Sequence, residues 1–145
     1  KIPLLNQRVN YYLSKAGVNF YTKIDSWLDV EIKGPGIKDC SFENLSGAER
    51  VSIDRALAYS FHDINKLQSP TYLNLMVLDE IIGSSALDNI GLQNLMDIVK
   101  VKQQEDNLNV LVVSHSNEVL ENTENYFDNK HCIVMENGYS KINKI

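Results

Sequence analysis

Cysteine, long apolar runs and positive charge are all scarce in this 145-residue chain. Cys40 and Cys132 are too few and too far apart for a disulfide framework or a Cys-x-x-Cys metal pair, so we expect two reduced packing residues. No run approaches the roughly 20 apolar residues of a membrane span, which predicts a soluble, intracellular protein. The net charge of −5 excludes a surface that binds nucleic acid throughout, but leaves room for a local basic face. The 43% of hydrophobic residues suffices for the core of one folded domain.

The first third of the chain predicts a helix followed by two strands. Between about Leu4 and Ala16, apolar residues recur every three or four positions and share one helical face: Leu5, Val9, Tyr12, Leu13 and Ala16. Gly17 suits the C-terminal cap of this helix. Two runs rich in aromatic and β-branched residues, 19–24 and 27–32, predict two strands, whose pairing is left open. Gly34-Pro35-Gly36 predicts a turn after them.

Beyond this turn, the sequence predicts alternating helices and strands. Ser46, with Glu49 three residues later, has the pattern of a capping box that starts a helix with an apolar stripe of Ile53, Leu57, Phe61 and Ile64. Two short apolar runs, 72–78 and 110–113, predict parallel strands that are buried on both faces. The helix that connects them has its apolar face at Leu92, Leu95, Met96 and Val99.

The end of the chain predicts a further helix and then a tight β-hairpin. Residues 132–135 and 139–142 flank Asn137-Gly138, the strongest short-range signal for a two-residue hairpin turn. The resulting order is helix, small sheet, helix, strand, helix, strand, helix and hairpin. We therefore predict an α/β fold with parallel core strands, flanking helices and a terminal hairpin.

Four local signals that carry chemistry follow one another along the chain. The first is Ser46-Gly47, at a predicted helix start where a hydroxyl, unpaired N–H groups and the helix dipole suit a phosphate. Taken alone, the pair also fits a simple N-cap. The second is Asp79-Glu80, at the carboxyl end of a predicted buried strand, where α/β folds place ligands and where carboxylates suit Mg²⁺ and an attacking water. Taken alone, this pair also fits a solvated strand end.

The third and fourth signals are individually weaker. Residues 83–88 also fit an ordinary loop in which Asp88 caps the next helix. His115 follows the second buried strand, and a single histidine there also fits a hydrogen-bonded structural residue. The occurrence of all four signals in this order argues against a purely structural explanation of each one.

In that order, the four signals resemble the motifs of an ABC-type (P-loop NTPase) ATPase. Residues 45–49 resemble the signature motif, 73–80 the Walker B strand, 85–88 the D-loop and His115 the switch histidine. The resemblance implies that Asp79 is the Mg²⁺-associated acid, that Glu80 is the general base and that His115 senses the γ-phosphate. It also implies that Ser46 and Gly47 contact the γ-phosphate of ATP bound by an opposite head. The cofactor-binding residues that it implies are Ser46, Gly47, Ala48, Glu49 and Asp88.

The resemblance is to one half of such an ATPase. No Gly-x-x-x-x-Gly-Lys-Ser/Thr occurs, so this half alone cannot cradle ATP. SMC-like ATPases interrupt the head with a coiled coil, and the chain resembles their C-terminal lobe, of the SbcC type that includes phage recombination ATPases. Residues 1–17 would be the coiled-coil root and 18–145 the lobe. Three departures from the pattern are Ala48, where a second glycine is usual, Glu49, where transporters have glutamine but SMC-like members have glutamate, and a lengthened link at Ile81-Ile82-Gly83.

The resemblance implies a head that hydrolyses ATP with Mg²⁺ and takes part in DNA double-strand-break repair and recombination. Its partners would be an N-terminal Walker A lobe, a second head, DNA and an SbcD-type nuclease, in the cytoplasm or in the host cytoplasm of a phage. The alternatives are a structural SMC head that tethers chromosomes, an ABC transporter domain, and a head that binds ATP without turnover. Intact Glu80 and His115 argue against the last of these.

Overall fold

The chain is represented by a computed structural model that describes residues 1–69, 71, 73–79, 89–115 and 124–144. For residues 37–39, 89–90 and 124, the backbone alone is described. The first element is helix α1, Ile2–Lys15, with Pro3 in its first turn, where proline is favoured. Its buried residues are Leu5, Val9, Tyr12 and Leu13, which confirms the predicted face. Gly17 follows at φ +75°, a conformation that favours glycine and ends the helix as predicted.

A three-stranded antiparallel sheet follows, with strands β1 (Tyr21–Ile24), β2 (Val30–Gly34) and β3 (Ile37–Cys40) in that spatial order. The predicted turn after Gly34 is present and leads into β3, a strand that the sequence patterns did not predict. The predicted strand over 27–32 is wrong in its first half. The Asp25 carboxylate accepts the backbone N–H groups of Trp27 at 2.8 Å and Asp29 at 3.0 Å, so these residues form a turn.

Helix α1 is joined to the outer edge of β1 by two asparagines one helical turn apart. The Asn6 side chain accepts the N–H of Ile24 at 2.7 Å and donates to its carbonyl at 2.8 Å. Asn10 makes the same pair of hydrogen bonds with Thr22, at 2.7 and 2.8 Å. The two amides therefore pair the edge of β1 as a neighbouring strand would, and they fix the helix against the sheet.

Two longer helices, α2 (Gly47–Gln68) and α3 (Asn89–Asp106), also contribute to the core. In α3 the predicted face is confirmed, with Leu92, Leu95, Met96 and Val99 all buried. In α2 the predicted stripe is only partly right, because Phe61 is 46% exposed. Between Ile53 and Ile64, the buried side chains include Ala56, Tyr59 and Ser60.

Strands β4 (Leu75–Asp79) and β5 (Asn109–Val113) pair in parallel, with α3 as the connection between them. This confirms the predicted parallel unit, although Tyr72 at the predicted start of β4 lies outside the described residues. Leu78 is buried, and its sheet face packs on the core together with Met76, Val110 and Val112. Burial on both faces was predicted wrongly for this chain, since the other face is 41–53% exposed at Leu75, Val77, Leu111 and Val113.

The chain ends in a hairpin of β6 (His131–Glu136) and β7 (Tyr139–Lys144). Asn137 and Gly138 have φ of 53° and 81°, the pair of positive angles of the predicted type I′ turn. The helix predicted before this hairpin falls largely on residues 116–123, which lie outside the described residues. The described residues before the hairpin include a short 3-10 helix, Glu124–Tyr126.

Both cysteines are unpaired and half-buried, and Cys40 packs against the core as predicted. Among the described helices, none has the length and apolar character that crossing a membrane requires. The observed architecture confirms the predicted α/β fold, with parallel strands and a terminal hairpin. The division at residue 17 stays a prediction.

Candidate functional site

The N-terminus of α2 carries the predicted signature residues. Ser46 is the N-cap, and its hydroxyl oxygen accepts the N–H of Glu49 at 3.3 Å. The Glu49 carboxylate in turn accepts the backbone N–H of Ser46 at 2.8 Å and its hydroxyl at 2.7 Å. The predicted capping box is therefore complete, and the side chains of Ser46 and Glu49 are held in one conformation.

Arg50 anchors the turn that leads into this helix, a role that the motif analysis missed. Its Nε donates to the carbonyl of Leu45 at 3.0 Å, and its Nη2 donates to the carbonyl of Glu43. The guanidinium also lies 5.9 Å from the centre of the Phe42 ring. Because Leu45 is buried beneath this turn, Ser46 and Gly47 are presented at the surface on a rigid base.

The exposed helix end has the groups that a phosphate oxygen requires. Helix geometry leaves the N–H groups of Gly47 and Ala48 without intrahelical acceptors, and the helix dipole adds positive partial charge. The Glu49 carboxylate now accepts the Ser46 hydroxyl proton. A phosphate at this position would therefore compete with Glu49 for the Ser46 hydroxyl.

Asp79 and His115 lie at the same edge of the parallel sheet. Asp79 ends β4 and pairs with Val113, the last residue of β5, and His115 follows two residues later. Both side chains are exposed at this carboxyl edge, where α/β sheets bind ligands. An exposed carboxylate fits Mg²⁺, which proteins bind through one or two carboxylates together with waters and substrate phosphates. The predicted site residues Glu80 and Asp88 lie outside the described residues.

A second polar cluster, which the sequence patterns did not reveal, joins the three helices. Lys102 is 2% exposed, and its ammonium contacts Asp63 at 2.5 Å, Asp106 at 3.2 Å and the Tyr12 hydroxyl at 3.2 Å. Tyr12 donates to Asp63 at 2.7 Å, and Lys66 contacts Asp106 at 2.5 Å. Each helix thus contributes to one ion-pair network: α1 through Tyr12, α2 through Asp63 and Lys66, and α3 through Lys102 and Asp106.

Proton equilibria in this network follow from its burial and its charges. Burial and the Asp63 carboxylate raise the pKa of Tyr12 far above its ordinary value. For Asp106, burial alone would raise the pKa, but hydrogen bonds and charges from Lys66 and Lys102 outweigh it and lower the pKa. His62, Asp63 and Asp106 have ligand atoms within 4.8 Å of one another, a spacing that a metal ion could use. The two ammonium groups already neutralise these carboxylates, so the cluster fits an ion-pair network better than a cation site.

Solved structures define the class of protein to which this fold corresponds. A structure from work on ATP-driven dimerization and DNA-stimulated activation of SMC ATPases has a TM-score of 0.75 and 18% identity, over 99% of this chain and 84% of its own. The SMC head domain from Thermotoga maritima has a TM-score of 0.66 and 25% identity, over 97% of this chain and 47% of its own. An SMC head bound to the C-winged helix domain of ScpA has a TM-score of 0.73 and 18% identity, over 99% of this chain and 43% of its own. The chain therefore has the fold of part of an SMC ATPase head.

Curated sequences define the relationship more closely. Exonuclease subunit 2 of Enterobacteria phage T4 is 30% identical over 114 residues, which are 79% of this chain and 20% of the relative. Exonuclease subunit 2 of Escherichia phage RB69 is 29% identical over the same shares. The chain is homologous to these phage subunits and spans about a fifth of their length. A scan against models of known protein families gives no match.

Proposed function

We propose that the chain is the C-terminal lobe of an ATP-hydrolysing SMC-like head in a DNA double-strand-break repair and recombination complex. It combines with an N-terminal lobe that carries the Walker A loop, and two such heads close around two ATP molecules. Closure of the heads regulates an associated SbcD-type nuclease that acts on DNA. The protein works in the cytoplasm, which for a phage protein is that of the host.

The observation that carries the proposal is the exposed apolar face of the β4–β5 sheet. Parallel strands are normally covered on both faces, yet Leu75, Val77, Leu111 and Val113 remain 41–53% exposed in this chain. A further layer of protein is therefore needed on this face. An N-terminal lobe would supply that layer together with the phosphate-binding loop that the sequence lacks.

In this proposal, the predicted site residues have different roles in ATP hydrolysis. When bound, Mg²⁺ would be held by Asp79 and would neutralise phosphate charge. Glu80 orients the attacking water and accepts its proton, while His115 contacts the γ-phosphate. In the closed dimer, Ser46 and the signature residues that follow it hold the γ-phosphate of the opposite head. Asp88, by resemblance, completes the nucleotide-binding set.

The relatives favour a nuclease complex over the alternatives. Both curated relatives are exonuclease subunits, which supports repair and recombination rather than chromosome tethering. The similar solved structures named above are SMC ATPases, which supports an SMC-like head rather than a transporter domain.

Replacement of Ser46 by arginine tests the signature assignment. In a head reconstituted from this chain and its N-terminal lobe, we expect Ser46→Arg to abolish ATP-dependent dimerisation and to leave ATP binding by each head intact. The larger side chain would fill the phosphate position at the start of α2. Sedimentation velocity with and without ATP measures the dimer.

Ser41→Arg is the matched control, because Ser41 is an exposed N-cap whose side chain makes no capping hydrogen bond. This variant should dimerise like the wild type. Wild-type dimerisation of Ser46→Arg would contradict the assignment, and equal loss in both variants would attribute the effect to added charge.

A further inference from the structure

Arg55 is a buried cation to which the described residues bring no counter-charge. It lies on α2 beside a small cavity between the three helices and is only 8% exposed. Its Nε and Nη2 have no hydrogen-bond partner within the described part of the chain, and neither does the hydroxyl of Tyr59, which is 2% exposed. Both side chains line the cavity, and no aspartate or glutamate is among its described lining residues.

Such an arrangement is costly unless something occupies the cavity. A buried polar donor without an acceptor costs about 1–3 kcal/mol, and a buried charge without a partner costs more. Burial lowers the pKa of Arg55, but an arginine remains protonated in proteins. Lys102 on α3 shows how a buried positive charge is usually stabilised, because its ammonium contacts two carboxylates. The donors around Arg55 require an equivalent acceptor.

The size of the cavity limits what this acceptor can be. Its volume is about 30 Å³, enough for one or two water molecules or a single monoatomic ion, and too small for a nucleotide. Gly91 in the first turn of α3 also lines it, so the positive end of a helix dipole adds to the charge of the guanidinium. Water would satisfy the donors but would leave the positive charge unbalanced.

We propose that this cavity is a binding site for a small inorganic anion of the size of chloride, held by the Arg55 guanidinium and the Tyr59 hydroxyl. The anion provides the acceptor and the counter-charge that the described residues lack. It joins α2, whose first residues follow Ser46, to α3. None of the described residues that line the cavity belongs to the proposed nucleotide-binding set.

Thermal unfolding of the chain in chloride tests the site. Chloride is titrated against gluconate, which is too large for the cavity, at constant ionic strength. We expect the wild-type Tm to rise by about 4 °C at a tenfold excess of chloride over its dissociation constant. Arg55→Met, which removes the buried charge at similar volume, should be more stable than the wild type at low chloride and should not respond to chloride. In crystals soaked with bromide, an anomalous peak is expected beside the guanidinium.

Lys23→Met is the control, because Lys23 is an exposed cation outside the cavity, and it should keep the wild-type response. Arg55→Gln provides a second variant if Arg55→Met does not fold, and it should also lose the chloride response. The proposal is overturned by a wild-type Tm that does not depend on chloride, by an equal response in the Arg55 variants, or by bromide-soaked crystals without density at the cavity.

Discussion

Glu80→Gln is expected to leave ATP binding intact and to lower ATP turnover at least about 100-fold in a head reconstituted with the N-terminal lobe. The amide keeps the size of the side chain but cannot accept the proton of the attacking water. A 100-fold decrease corresponds to about 2.7 kcal/mol of activation free energy. In the sequence, Glu80 directly follows Asp79, the last residue of β4.

Binding and turnover have to be measured separately on this variant. Equilibrium binding of ATP should match the wild type, while single-turnover hydrolysis should be slow. Glu105→Gln, at an exposed position near the end of α3, makes the same chemical change away from the sheet edge and should hydrolyse ATP normally. Turnover of Glu80→Gln within a few-fold of the wild type would remove Glu80 from the role of general base.

Lys102→Met is expected to lower the free energy of unfolding by about 3–5 kcal/mol at pH 7, because it leaves buried carboxylates without their central cation. The side chains of Asp63 and Asp106 are only 12% and 13% exposed. Lys66 still contacts Asp106, and the Arg8 guanidinium still lies 3.8 Å from Asp63, but neither cation contacts both carboxylates. Urea unfolding of the chain measures the loss.

Lys100→Met is the matched control on the same helix. Its ammonium lies 4.4 Å from the centre of the Tyr126 ring at an exposed position, an interaction worth about 0.5–1 kcal/mol. A comparably small loss in Lys102→Met would show that the network contributes little to stability.

The contribution of the same network to folding stability should decrease at acidic pH. The folded pKa of Asp106 is lowered, so its stabilisation is present above the unfolded pKa of about 4 and is lost as the pH falls through the folded value. The destabilisation caused by Lys102→Met should therefore shrink in acid.

Features that depend on neighbouring residues were predictable from the sequence. The capping box of Ser46 and Glu49 needs only a spacing of three, and the structure contains all of its hydrogen bonds. The turn at Asn137-Gly138 follows from the tolerance of these two residues for positive φ. The parallel strands and α3 follow from apolar runs and helical periodicity. Fold class and the positions of Ser46 and Asp79 therefore came from local patterns.

Features that join distant parts of the chain were not predictable in this way. Asp63 is 39 residues from Lys102 and 51 residues from Tyr12, so no local pattern indicates their contact. The exposed face of β4 and β5 was missed because apolar runs indicate burial without indicating which protein segment provides it. Strand β2 begins at Val30, three residues after the predicted start at Trp27, because the Asp25 side chain competes with the strand for backbone N–H groups.

ATP hydrolysis by the chain alone and together with its N-terminal lobe tests the central claim most directly. The chain alone should fold and show no measurable Mg²⁺-ATP hydrolysis, because it has no Walker A loop to direct N–H groups and a lysine at the β- and γ-phosphates. Addition of the separately expressed N-terminal lobe should restore ATP binding and turnover. The rate should then rise more steeply than linearly with head concentration, because the proposed function places Ser46 at the nucleotide of the opposite head. Tight binding and hydrolysis of Mg²⁺-ATP by the isolated 145 residues would contradict the account of a split head.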